Sequence, residues 1–147
     1  MSIQRIILSA LVIGALAGVG CNSDRLPTYP TTGTIQFQDG RPVRFGSIEF
    51  YNVENDITAR GTIGRDGTYQ VGTFQPKDGT IAGEHQVVII QVLMPAPVIK
   101  SEDGAHHHHD HGRHVDKKYA TYATSPLKCT IEKGNNLRDF IVSQSRN

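Results

Sequence analysis

The sequence predicts an all-β domain, an antiparallel β-sandwich of about seven strands. Three observations lead there. Short runs rich in Ile, Val, Phe, Thr and Tyr alternate apolar with polar residues, which is the period of a half-buried strand. Fifteen Gly and seven Pro fall largely between those runs and punctuate them as turns. After the first twenty residues, no segment carries the 3.6-residue apolar period of an amphipathic helix.

Residues 1–20 stand apart as a leader. Met1–Arg5 is a polar start with one positive side chain, and Ile6–Gly20 carries no charge and closes on small residues before Cys21. That is the pattern of a signal peptide. A spanning helix needs about 20 apolar residues to cross a core of ~30 Å, and this run stops short with glycines at 14, 18 and 20. Leu16-Ala17-Gly18-Val19-Gly20-Cys21 resembles the lipobox read by the lipoprotein signal peptidase, with Gly18 where Leu is usual. The resemblance implies a lipid on Cys21, each buried CH2 adding about 0.8 kcal/mol of anchoring. The alternative is ordinary cleavage near Gly20, leaving Cys21 free or disulfide-bonded. The only other cysteine, Cys129, alternates in phase with Leu127 and Ile131 and reads as a small buried hydrophobe. Asn22 stands where enteric lipoproteins retained in the inner membrane carry Asp. The expected address is therefore an exported, membrane-anchored lipoprotein, periplasmic or outer-membrane. Residues 21–30, with Pro27 and Pro30, read as the lipidated tether.

The domain is expected over residues 31–143, about 110 residues, enough to bury roughly two thirds of the unfolded surface without a disulfide framework. Thr34–Gln38 alternates polar and apolar, Asp39-Gly40 is a hairpin turn signal, and Pro42-Val43 leads into Ser47–Tyr51. Ile57–Ile63 precedes Arg65-Asp66-Gly67, a turn whose Gly accepts positive φ, and Thr68–Val71 returns with Tyr69 and Val71 facing the core. Gly83–Leu93 is apolar on both phases and reads as a central strand, with His85 a half-buried packing residue at its mouth. Leu127–Glu132 and Leu137–Val142 are expected to close the domain as a hairpin across Lys133-Gly134-Asn135-Asn136.

The order of several motifs resembles carboxypeptidase-regulatory-like domains, also described as transthyretin-like. Gly33-x-Ile35 with Asp39-Gly40-x-Pro42-Val43-x-x-Gly46-x-Ile48-x-Phe50 resembles their first hairpin. Arg65-Asp66-Gly67-x-Tyr69-x-Val71 and Gly79-x-x-x-Gly83-x-His85-x-Val87-x-Ile89 resemble the segments that follow. Lys118-Tyr119, Thr124-Ser125-Pro126-Leu127, Gly134-Asn135-Asn136 and Asp139-Phe140-x-Val142 resemble the tail of small bacterial lipoproteins built on this domain. The resemblance covers residues 31–143 and implies a prealbumin-like, immunoglobulin-like sandwich that is an accessory, non-catalytic module.

One segment departs from that background. His106, His107, His108, His109, Asp110, His111 and His114 fall within nine residues, inside an insert expected as a long exposed loop over about 95–116. Neutral imidazoles are ligands for Zn2+, Cu2+ and Ni2+, and Asp110 adds a carboxylate oxygen. Two readings stand side by side: a loop that sequesters or hands on metal, and a solvated polar insert with incidental affinity. Sensing of pH is a third use, since imidazoles near pKa ~6.5 gain charge in mildly acidic surroundings. The domain itself requires no cofactor.

Chemistry elsewhere is sparse. No His-Glu-x-x-His, Gly-x-Ser-x-Gly or phosphate-binding glycine loop occurs. The transthyretin-like hydrolases of purine breakdown end in Tyr-Arg-Gly-Ser, whereas this chain ends in Val142–Asn147. No enzyme is expected. Fifteen basic residues against fourteen acidic ones, spread among each other, exclude the clustered basic face that nucleic acid demands. The partners expected are the membrane, through the lipid, and an envelope protein or glycan that the sequence does not identify.

Overall fold

The computed structural model describes residues 25–91 and 113–145. Residues 1–20, read from sequence as a leader, and the histidines from His106 to His111 lie outside the described residues. The described residues form an all-β sandwich, with one 3-10 turn among them at Lys117–Ala120. Its strands are β1 (Thr28–Tyr29), β2 (Thr31–Phe37), β3 (Gly46–Asn52), β4 (Ile57–Ile63) and β5 (Thr68–Gly72), followed by β6 (Thr80–Ile81) and β7 (Gly83–Ile90). Beyond the turn come β8 (Lys128–Ile131), β9 (Asn136–Leu137) and β10 (Phe140–Val142).

Hydrogen bonding runs β10-β2-β5-β4-β3-β7-β8, with β9 also on β2 and a separate β1-β6 pair. Period-2 alternation sets which face each strand buries. In β2, Thr31, Gly33, Ile35 and Phe37 are buried, while Thr32 and Gln36 are exposed. In β5 Tyr69 and Val71 are buried between Thr68 and Gln70, as their phase predicts. The path curls on itself: Phe50 on β3 meets Phe140 on β10 at 6.0 Å between ring centroids, although three strands separate them along the path. Phe50 also contacts Tyr69 at 5.9 Å, so one aromatic cluster spans both layers. Val87, Val88 and Ile89 are all buried, which is the two-faced apolar run expected of a central strand flanked by β3 and β8.

Both predicted turns form, with Gly40 and Gly67 at φ +81°. Three features differ from the sequence expectation. Thr28–Tyr29, read as tether, pairs with Thr80–Ile81, a strand too short to show a period. The expected closing hairpin does not form: β8 pairs antiparallel with β7, while β9 and β10 pair in parallel with β2. Phe140 and Val142 thereby enter the core, while Leu137 and Ile141 remain exposed. His85 is not half-buried but 2% exposed.

Arg138 joins the two ends of the curled path. Its Nε and Nη2 donate to the Thr130 carbonyl on β8 at 3.1 and 2.7 Å, its backbone N–H donates to Thr32 on β2 at 2.9 Å, and its carbonyl accepts the Tyr69 hydroxyl at 2.5 Å. Gly33 is the residue that allows this approach, because a Cβ there would overlap the Arg138 carbonyl. Tyr69→Phe leaves that carbonyl without its side-chain donor and is expected to cost about 1–3 kcal/mol in urea unfolding. Gly33→Ala is expected to cost at least as much by overpacking, about 1–3 kcal/mol or more. Wild-type midpoints for both variants would contradict this account of the junction.

Candidate functional site

Residues 92–112, which include His106–His111, fall outside the described residues, whose flanking ends are Gln91 and Arg113. Gln91 itself ties the two ends together. Its Nε2 donates to the Arg113 carbonyl at 3.1 Å and to the Arg44 carbonyl at 3.3 Å, and its Oε1 accepts the Val115 N–H at 2.9 Å. The returning strand-like stretch then pairs with the end of the chain, with Asp116 N–H donating to the Ser143 carbonyl at 3.0 Å and Ser145 N–H to the His114 carbonyl at 2.8 Å. Val115 and Tyr119 complete the core on this side. Residues 113–116, assigned from sequence to a solvated loop, therefore belong partly to the folded body, because Val115 is apolar and finds a backbone partner in Gln144.

His114 is the one predicted metal ligand among the described residues, and it is exposed at this base. Cys21, His106, His107, His108, His109, Asp110 and His111 lie outside the described residues. Beside His114, Arg113 forms an ion pair with Asp39, which also meets Arg41 at 3.2 Å. The Asp39 carboxyl is held below its ordinary range, first by the Arg41 backbone N–H and then by the charges of Arg113 and Arg41. This pair is solvent-exposed, so it orients the re-entry of the segment more than it stabilises the fold. Among the described residues, no three His, Cys, Asp or Glu side chains gather as a metal-binding group.

A second concavity of about 620 Å³ lies over β7 and β8 and includes His85, Cys129, Glu54, Glu84 and Lys128. His85 and Cys129 are cross-strand partners, a juxtaposition that invites comparison with a Cys–His nucleophile. The chemistry points elsewhere. The Gly83 carbonyl, 3.0 Å from His85 Nδ1, only accepts, so Nδ1 carries the proton and Nε2 accepts the Thr80 hydroxyl at 3.1 Å. Both ring nitrogens are engaged. Burial pushes the Cys129 thiol up to about 11, which keeps it protonated at neutral pH. Cys129 is half-buried and packs against the core, so it serves the packing role expected of it while keeping one side open.

A third surface escaped the sequence reading. The outer face of β2, β5 and β4 forms an open groove of about 960 Å³, whose lining includes Thr32, Ser47, Arg60, Thr62, Gln70 and Lys77. Alternation places the strand residues outward and Lys77 lies in the loop after β5, but no sequence motif marks them as neighbours. Arg60 Nε donates to Glu49 Oε1 at 2.8 Å, and Glu49 Oε2 accepts the Tyr122 hydroxyl at 2.9 Å. Burial, helped by the bond to Glu49, pushes the Tyr122 phenol up to about 12.

No protein-family model matches the chain, and no curated protein sequence matches it.

Two outcomes follow from this geometry. Gln91→Ala removes three hydrogen bonds at the base of the histidine segment and is expected to cost about 1–3 kcal/mol, with faster hydrogen exchange at the Val115 amide. Unchanged exchange there would refute the tie. Burial also lowers the His85 pKa, so the folded domain takes up this proton less readily than the unfolded chain. Its contribution to stability is complete above about pH 6.5 and is lost as the pH falls through the folded value. Urea midpoints measured from neutral to mildly acidic pH are expected to fall, and His85→Gln to flatten that slope; an equally steep slope in the variant would contradict the assignment.

Proposed function

We propose that the chain is a membrane-anchored, non-catalytic β-sandwich lipoprotein that acts as a binding or structural module at the cell envelope. The observation that carries this reading is the uncharged Ile6–Gly20 run ending on small residues before Cys21. A thiol in that position is the nucleophile that accepts the lipid, and two or three acyl chains hold a protein firmly. Because Thr28–Tyr29 pair as a strand, the tether is shorter than the 21–30 expected from sequence. The first strand begins at Thr28, so residues 22–27 separate lipid from sandwich and reach about 25 Å at most when extended. The domain would sit against the membrane surface. The resemblance to carboxypeptidase-regulatory-like domains, which are accessory modules, supports the non-catalytic reading, as does a half-buried, protonated thiol beside an imidazole whose nitrogens are both engaged.

A second reading is favoured by one observation at the base of the histidine segment. Gln91 holds residues 91 and 113–115 within hydrogen-bond distance, so the closure entropy of whatever lies between them is already met by the fold. A segment delivered in this way, with His114 exposed beside it, suits a metal-binding lipoprotein that takes Zn2+, Cu2+ or Ni2+ on His106–His109, Asp110, His111 and His114.

Mass spectrometry of the mature N-terminus tests the first reading. A diacylated Cys21 is expected; a chain still starting at Met1, or an unmodified Cys21, would overturn it. Titration of the protein with Zn2+ and Cu2+, beside a variant lacking residues 105–114, tests the second. Tight binding lost in the variant with the fold intact supports a dedicated segment, and affinity no better than that of a free histidine peptide sinks it.

A further inference from the structure

We infer that the groove on the outer face of β2, β5 and β4 binds an acidic oligosaccharide, with Arg60 and Lys77 as its carboxylate-holding residues. This inference rests on the reading of the domain as a non-catalytic binding module and names the class of ligand it takes.

Both cations are delivered by built supports. Arg60 is fixed at its Nε by Glu49, which Tyr122 holds in turn, and its terminal nitrogens make no hydrogen bond to the described residues. A guanidinium anchored on one edge presents the other as a fork for a carboxylate. Lys77 reaches the same place through a different device. Gly72 is the cross-strand partner of Arg60, and a Cβ on Gly72 would stand 2.6 Å from the Lys77 amide nitrogen. The space that a side chain would occupy beside Arg60 is therefore filled by the backbone of the Lys77 loop. That loop is fixed by Asp78, whose carboxylate accepts the N–H groups of Thr73, Phe74 and Gln75 at 2.6, 3.1 and 3.0 Å. The Gln70 amide adds a bond to the Lys77 carbonyl at 3.3 Å.

The two charged residues of the lining, Arg60 and Lys77, are both cations. None of the residues lining the groove is acidic. Of the carboxylates that touch its lining side chains, Glu49 is ion-paired with Arg60, while Asp66 accepts the Thr68 hydroxyl at 2.7 Å and Asp139 the Thr34 hydroxyl at 2.9 Å. Among the described residues, Lys77 makes no ion pair.

Remaining groups select the class of anion. Thr32, Ser47 and Thr62 offer hydroxyls, and Gln70 an amide, all of which exchange hydrogen bonds with sugar hydroxyls. An acidic peptide would seek a free strand edge for main-chain pairing, but the groove lies on a sheet face where the ladders already use the backbone groups. A nucleic acid would seek aromatic platforms for its bases, and the one aromatic residue here, Tyr69, is buried with its hydroxyl committed to Arg138. The volume lies near the top of the range of about 300–1,000 Å³ for small-ligand sites, which accommodates an oligomer.

Calorimetric titration of the full chain with a galacturonate oligomer of defined length tests the inference. Saturable binding that weakens with added salt is expected, and R60Q/K77Q should weaken it by about tenfold or more. Both side chains are exposed, so the double variant should keep its thermal midpoint; K77E alone provides an independent charge reversal and should also weaken binding. Equal binding of the same oligomer with its carboxyls reduced, or binding unchanged in both variants, overturns the proposal. Tighter binding of glycerol phosphate than of the oligomer overturns it in favour of a lipid headgroup. Absent binding alongside an acylated Cys21 overturns the groove and leaves the anchored module standing. Retained binding with an unmodified Cys21 supports the groove and overturns the anchor.

Discussion

A curled sheet needs something to hold its two ends together, and here the work falls to Arg138. The guanidinium crosses from β9 and β10 to the Thr130 carbonyl on β8, while the same residue's backbone is held by Thr32 and Tyr69. Each contact supports the others. The Thr32 bond sets the parallel register that carries Phe140 and Val142 inward, and the Tyr69 hydroxyl reaches through the layer beside Gly33, where no side chain intervenes. The guanidinium also covers a backbone acceptor on the edge strand β8, which reduces the template that an open edge offers to other chains.

Buried polar groups follow the same economy of placement. Asn52 accepts from the Asn55 N–H and donates to the Glu84 carbonyl, fixing the turn between β3 and β4 against β7. Asn136 performs the matching task after β8, exchanging bonds with both the N–H and the carbonyl of Glu132. Thr80 and His85 satisfy each other within the core. Among the described residues no buried side-chain nitrogen or oxygen lacks a partner. A sandwich satisfied in this way is a rigid support, and its variable chemistry is displayed on the surfaces it positions.

Two such surfaces arise in separate places. At one, Gln91 and the Asp39–Arg113 pair gather the departing and returning ends of the histidine segment. At the other, the backbone of the Lys77 loop folds over Gly72, the cross-strand partner of Arg60, and Lys77 and Arg60 line one groove. The histidines associated with the first lie within one continuous stretch of sequence. The second assembles its charge from residues that are far apart in sequence, with Glu49 and Asp78 in supporting roles rather than facing the ligand.

The local rules of strand and turn were readable in the chain. Alternation identified Tyr69, Val71 and the apolar run Val87–Ile89 as core, and Asp39-Gly40 and Arg65-Asp66-Gly67 as turns, because side-chain direction and turn geometry depend on neighbours within a few residues. The histidine cluster and the uncharged Ile6–Gly20 run before Cys21 are likewise continuous stretches, visible without coordinates. Pairing was different. Which strand receives β10 depends on a contact between Arg138 and residues more than sixty positions away, and neither the exposed Leu137 and Ile141 nor the buried Phe140 and Val142 names that partner. Gly33 and Gly72 look in sequence like any glycine in a β chain; only the tertiary structure shows what occupies the space they leave. The sequence by itself determined the class of fold, its turns and the contiguous motifs. Tertiary structure decided the register, the tie beneath the histidine segment and the two-cation groove, because each depends on long-range pairing that no local period encodes.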